Sequence, residues 1–192
     1  MLKGLLVAVA ILMRFISSKT VDQQVPIVPT ESAKLHVAAP AEPSRQTYAD
    51  LLVDYQPKLD NFTALQYAGW IVENCKRHNL DPIWIIAMMW QESRFLSNST
   101  SSHGALGLMQ IMPDTARGLG YTTNQVRDPQ GGIEAGVGYL AALKESLGDI
   151  QRATTAYNQG PSRVVLGTAS GRYYNAVYEH YTSIKDWIKQ HG

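Results

Sequence analysis

Eight apolar residues in a row, Ile83-Trp84-Ile85-Ile86-Ala87-Met88-Met89-Trp90, constrain this chain more than any other feature. They follow Asp81-Pro82, a helix start with the acid at the N-cap and proline in the first turn. A helix from Ile83 to Ser93 is apolar almost all round, and such a helix belongs inside a domain. Its end, Gln91-Glu92-Ser93, places a carboxylate at the edge of a core. Partial burial disfavours the charged form and raises a carboxyl pKa. A glutamate that keeps its proton near neutrality is a candidate general acid. A glutamate that snorkels from a helix end into solvent is the plainer alternative.

The rest of the chain from about residue 46 is also helical in pattern. Asn61 can cap a helix to about Asn79, with Leu65, Ala68, Ile71, Val72 and Cys75 along one side. Ser97 to His103 reads as a polar loop, and Gly104 to Gln110 as a glycine-rich apolar stretch. Pro113 starts a short helix, with Asp114 in its first turn. Asp128-Pro129 starts another, which carries Gly132, Gly136 and Gly138. Each glycine costs roughly 1 kcal/mol against alanine in a helix. Their expected use is close approach of another backbone. Asp149 caps a helix ending at Ala156-Tyr157-Asn158, and Gly160-Pro161 breaks the chain. A last helix carries the stripe Tyr174, Val177, Tyr178, Tyr181, Ile184 and Ile188. No alternating apolar run marks a strand, so the expected fold is mostly α.

The N-terminal quarter is different. Lys3 precedes an apolar run from Gly4 to Met13, which Arg14 interrupts and Phe15-Ile16 resumes. That pattern fits a signal-peptide core and is short for a membrane span, which needs about 20 residues. Residues 1–18 are expected to be a signal peptide or a membrane anchor, giving an extracytoplasmic protein, secreted or held at the envelope. Pro26, Pro29, Pro40 and Pro43 make residues 19–45 a linker, since proline excludes persistent helix. Residues 46–192 are the expected catalytic domain. A formal net charge of +1 gives no basic stripe for nucleic acid. Cys75 is the only cysteine, so no internal disulfide forms. Cys75 and His78 offer two ligands on one helix face, where a structural zinc needs four. No metal and no cofactor is expected.

Several motifs occur together in order. They are Gln91-Glu92-Ser93 with Phe95, Ser101, Gly104-Ala105, and Gly107-Leu108-Met109-Gln110-Ile111-Met112-Pro113 with Thr115-Ala116. Asp128-Pro129, Ile133-Glu134-Ala135-Gly136, Tyr139-Leu140, Ala156-Tyr157-Asn158 and Gly160-Pro161 follow. In these motifs the chain resembles the soluble lytic transglycosylase family, which shares the goose-type lysozyme fold, over roughly Leu80 to Tyr174. The resemblance implies a helical, lysozyme-like domain with an active-site groove, preceded by the N-terminal segment and linker.

It implies further that Glu92 is the acid/base and that Gln110, with the chain around Met109 and Met112, lines the groove. Ser101 would hydrogen-bond the substrate's N-acetyl group, Tyr157 would reach toward Glu92, and Asn158 would hold the loop or contact sugar. Plainer roles stay open: core filling for Met109 and Met112, a helix end for Asn158, a core aromatic for Tyr157. Phe95 is followed by Leu96-Ser97 where the family has Asn-Pro, and His103 is not the family's residue.

Most glycosidases use two carboxylates. No Asp or Glu lies between Glu92 and Asp114, and Asp114, Asp128 and Asp149 have helix-start roles. Glu134 is a candidate polar neighbour in the core. The resemblance supplies a one-carboxylate route: Glu92 protonates the glycosidic oxygen, then takes the proton of the muramyl 6-hydroxyl as that oxygen closes on C1. The implied partner is the glycan strand of peptidoglycan. The alternatives are a hydrolase of the same fold and a non-catalytic glycan-binding module of the envelope.

Overall fold

The computed structural model describes residues 42–192 of the chain. The expected signal or anchor (1–18) and nearly all of the expected linker (19–45) lie outside these residues. Nine helices occur among them and no β-strand: α1 (Arg45–Tyr55), α2 (Asn61–His78), α3 (Pro82–Ser93), α4 (Pro113–Gly118), α5 (Thr123–Arg127), α6 (Pro129–Leu147), α7 (Ile150–Gln159), α8 (Pro161–Val165) and α9 (Arg172–His191). No helix among the described residues is long and apolar enough to cross a membrane.

α3 is the buried axis of the domain. Trp84 through Met89 are all buried, so the helix touches protein on every side. α2 and α9 pack against it, and α1 closes over α2. The indole N–H of Trp84 donates to the Thr154 hydroxyl at 3.1 Å, which ties α3 to α7. α6 in turn lies between α2 and α7.

The helix starts follow from carboxylates and hydroxyls that accept orphan backbone N–H groups. Asp81 accepts from Ile83, Asp128 from Gly131 and Asp149 from Arg152. Thr122 and Gln125 form a full capping box on α5. The cap of α2 is Asp60, not the expected Asn61. Its carboxylate takes both the backbone N–H of Thr63 at 2.9 Å and the Thr63 hydroxyl at 2.6 Å. A charged acceptor serving two donors outcompetes a start one residue later.

The glycines of α6 divide. A Cβ on Gly136 would meet Met109 Cβ and Cγ at 2.7 Å, and one on Gly132 would meet the Val126 carbonyl oxygen at 2.8 Å. Gly132 thus meets the α5 backbone, as expected, whereas Gly136 makes room for a side chain, Met109, and not for a backbone. Gly138 does not fit that expectation, since its nearest neighbour is His78 Nε2 at 3.9 Å. Gly136→Ala is therefore expected to cost about 1–3 kcal/mol by overpacking. Gly138→Ala is expected to be neutral or to gain up to ~1 kcal/mol from helix propensity. Urea denaturation of the pair checks this, and equal effects would show that Met109 yields at no cost.

Candidate active site

The end of α3 is held by side chains on three sides. The Ser93 hydroxyl is buried and donates to the Leu108 carbonyl at 2.8 Å, which pins the helix end to the glycine-rich segment. Gln91 Oε1 lies 2.9 Å from His180 Nε2 on α9. Arg94 and Phe95 then turn the chain with two successive left-handed residues, at φ 54° and 60°. The Arg94 carbonyl accepts from the Gln56 amide at 3.0 Å, and the Phe95 ring packs 5.3 Å from Trp90. Leu96 stands half exposed just beyond this turn.

Between these supports lies Glu92. Burial pushes its carboxyl up from 4.5 to about 7, opposed by a hydrogen bond from Tyr173. The Tyr173 hydroxyl donates to Glu92 Oε1 at 2.5 Å. Tyr173 is itself buried, and burial followed by the Glu92 charge holds its own ionisation well above the ordinary range. It therefore remains a donor at any working pH. No second carboxylate among the described residues shifts Glu92: burial and Tyr173 are the only causes.

Tyr157 is close to this pair, since after burial the Glu92 charge is the next cause that raises its ionisation. Its hydroxyl, however, donates to the Met109 carbonyl at 2.9 Å. The hydroxyl that reaches Glu92 belongs to Tyr173 instead. The Tyr157 ring packs 5.2 Å from Tyr139 at a tilt of 45°, and its hydroxyl braces the glycine-rich segment at Met109.

That segment folds on two isolated antiparallel bridges, Thr100–Leu106 and Leu106–Ile111. Gly107 has φ +70°, and a Cβ there would meet the Val126 carbonyl oxygen at 2.6 Å, so the position admits only glycine. Ser101 Oγ accepts the N–H of Ala105 at 3.0 Å and of His103 at 3.2 Å. Both contacts use its lone pairs, so its O–H remains able to donate. Gln110 sits at φ 48° with its amide nitrogen 2.9 Å from the Gly107 carbonyl, which leaves its amide oxygen as an acceptor.

The two methionines separate. Met112 is 41% exposed, whereas Met109 is fully buried against Gly136 and presents only its carbonyl, already taken by Tyr157. Asn158 is exposed. The loop-holding role falls to its neighbour Gln159, which donates to the Ser170 carbonyl at 2.7 Å and accepts the Ser170 N–H at 2.9 Å. His103 is an exposed loop residue beside Ser102. Glu134 is no core group: it lies half exposed, 3.9 Å from Arg77. Cys75 is buried, which pushes its thiol up to about 12, and no group of three potential metal ligands occurs among the described residues.

Tyr173 and Gln159 are the site residues that sequence reasoning missed. The expected stripe on the last helix begins at Tyr174, whereas the buried series is Tyr173, Val177 and Ile184. The i, i+4 pair Tyr173–Val177 was the available signal.

The sequence profile described as "Transglycosylase SLT domain" matches residues 70–175, more than half of the chain. The chain is 33% identical over 117 residues to a "Transglycosylase" of Enterobacteria phage PRD1, covering 61% of this chain and 43% of that protein. It is 34% identical over 133 residues to "Membrane-bound lytic murein transglycosylase C" of Edwardsiella ictaluri, covering 59% and 37%. The chain thus spans less than half the length of these relatives. Among solved structures it is similar to an inactive Glu-to-Gln mutant of lytic transglycosylase Slt from Pseudomonas aeruginosa. There the TM-score is 0.56 at 26% identity, over 74% of this chain and 30% of that one. A 70-kDa soluble lytic transglycosylase in complex with bulgecin A gives a TM-score of 0.52 at 25% identity, over 74% and 28%.

Proposed function

Because the chain belongs to the transglycosylase SLT domain family and has its lysozyme-like helical fold, we propose that it is a peptidoglycan lytic transglycosylase with Glu92 as its single acid/base. The observation that carries this reading is a carboxyl near pKa 7 at the end of a buried helix, paired with a tyrosine hydroxyl and shifted by no second acid among the described residues. About half of such groups hold a proton at neutral pH, so Glu92 can first donate and then accept.

In the first step the Glu92 proton passes to the glycosidic oxygen between N-acetylmuramic acid and N-acetylglucosamine. The C1–O bond breaks, and the N-acetyl group of the muramyl unit shares the positive charge at C1. Ser101, with its free O–H, suits an N-acetyl carbonyl, and Gln110, with its free amide oxygen, suits a sugar hydroxyl or amide N–H. In the second step the Glu92 carboxylate takes the 6-hydroxyl proton while O6 bonds to C1, giving a 1,6-anhydro ring. Tyr173 stabilises the carboxylate between these steps and fixes its orientation. Met112 and Asn158, both exposed, are proposed contacts on the groove rim, with Tyr157 and Met109 forming its floor. The activity of the Pseudomonas aeruginosa relative is lost by the same chemical change, glutamate to glutamine. The membrane-bound relative supports a place at the cell envelope, with residues 1–18 as signal or anchor.

Product chemistry tests the reading. An inverting hydrolase needs a base about 6.5–9.5 Å from the acid to activate water. A tethered hydroxyl needs none, because it is already at high effective concentration. Digestion of purified peptidoglycan is expected to give muropeptides with anhydro ends, one water lighter than reducing ends by mass spectrometry. Dominant, borohydride-reducible ends would instead make the protein a hydrolase. Intact peptidoglycan after digestion would make it a binding module.

A further inference from the structure

α9 shows two different faces to α3. Tyr173 and His180, seven residues apart, meet Glu92 and Gln91 at the C-terminal end of α3. Tyr174 and Tyr181, also seven apart, meet the other end: both rings pack on Trp84, at 5.6 and 5.1 Å, and the Tyr181 hydroxyl donates to Asp81 at 2.9 Å. Asp81 and Glu92 stand roughly 16 Å apart along α3 at 1.5 Å rise per residue.

Covering Trp84 accounts for Tyr174 and Tyr181 but not for Tyr178, which is 48% exposed. Tyr178 completes a row: its ring lies 6.0 Å from Tyr174 and 6.3 Å from Tyr181, with planes turned by only 23° and 32°. Lys185, one turn on, sits 5.2 Å over the Tyr181 ring. The row leads into a cleft of about 880 Å³ whose charged walls are Glu42, Asp81, Lys76, Lys185 and Lys189.

The geometry points to a second binding surface for an uncleaved peptidoglycan strand on this flank, away from Glu92. The inference rests on the peptidoglycan reading above. A row of similarly oriented tyrosines suits successive pyranose rings, whose C–H faces bury apolar area against an aromatic plane. The exposed Tyr178 hydroxyl, and the lone pairs left on Asp81 and Tyr181 beyond the Ile83 N–H and their mutual hydrogen bond, suit sugar hydroxyls and amide N–H groups. Lys76 and Lys185 suit the carboxylates of peptide stems. A single nucleic-acid strand also pairs aromatics with lysines, but a cleft that sets the acids Glu42 and Asp81 beside Lys76, Lys185 and Lys189 suits a strand of mixed sugar and charged groups better than a continuous polyanion. Such a surface keeps the enzyme on an insoluble polymer and raises the effective concentration of strands at the groove.

The test uses the full chain carrying Glu92→Gln, in co-sedimentation with purified sacculi. Adding Tyr178→Ala and Lys185→Ala is expected to weaken binding at least about tenfold. With Glu92 restored, the same pair is expected to lower the ratio of activity on sacculi to activity on short soluble strands by a similar factor. Unchanged sedimentation overturns the proposal, whether the track is unused or covered by the chain's own upstream residues. An unchanged ratio overturns it as well, as does equally tight binding to single-stranded DNA. Absence of all cleavage by the parent protein would sink the proposed activity instead, and the sedimentation arm still reads this surface independently.

Discussion

Glu92→Gln is expected to fold as the parent does and to lose about 10² to 10⁴ in the rate of peptidoglycan solubilisation, the usual cost of removing a general acid. Glutamine keeps the shape of the side chain, and its amide oxygen still accepts the hydrogen bond that Tyr173 now gives to Oε1. What it lacks is a proton to give and a lone pair basic enough to take one back. Both proposed steps run through this carboxyl, and among the described residues no second acid shifts it. Turbidity loss of purified sacculi, measured alongside circular dichroism, checks both halves. A folded variant that clears sacculi at near the parent rate would remove Glu92 from the mechanism.

The parts of this picture that were legible in the sequence are those set by local pattern. The Asp81-Pro82 start and the apolar run after it fix α3 and its burial without tertiary information, and they place Glu92 at the core edge. Gly136 likewise marks a close approach, although what it admits is the Met109 side chain and not a backbone. Misreadings arose where two neighbouring residues fit the same local rule. Asp60 and Asn61 are both good caps, and only the reach of the Asp60 carboxylate to Thr63 decides between them. Tyr173 and Tyr174 are adjacent aromatics on one helix. Which of them enters the core depends on how α9 crosses α3, a long-range property that a helical period does not contain. Met109 and Met112 share one motif, yet the left-handed turn at Gln110 sends one inward and the other out.

The same buried carboxyl carries a stability cost that depends on pH. In the unfolded chain Glu92 titrates near its ordinary value of 4.5, and in the folded protein near 7. Between these values the folded state holds the proton more often than the unfolded state does, so rising pH removes stability. Below pH 4.5 both states are protonated and the penalty is absent. Above pH 7 both are ionised and it is complete. At 1.36 kcal/mol per pKa unit the penalty is about 2–3 kcal/mol, allowing for the partial exposure of the residue. Glutamine never ionises, so Glu92→Gln is expected to match the parent at pH 4 and to exceed it by about 2–3 kcal/mol at pH 8, or several degrees in Tm. The other titrating groups are common to both proteins and cancel in the difference. Urea denaturation of the pair at pH steps from 4 to 8 measures it directly. A difference that is the same at every pH would mean that Glu92 is not perturbed, and with it would go the physical basis for its role as an acid. A gain that appears between pH 4.5 and 7 while activity disappears identifies Glu92 as a site where stability has been given up for chemistry.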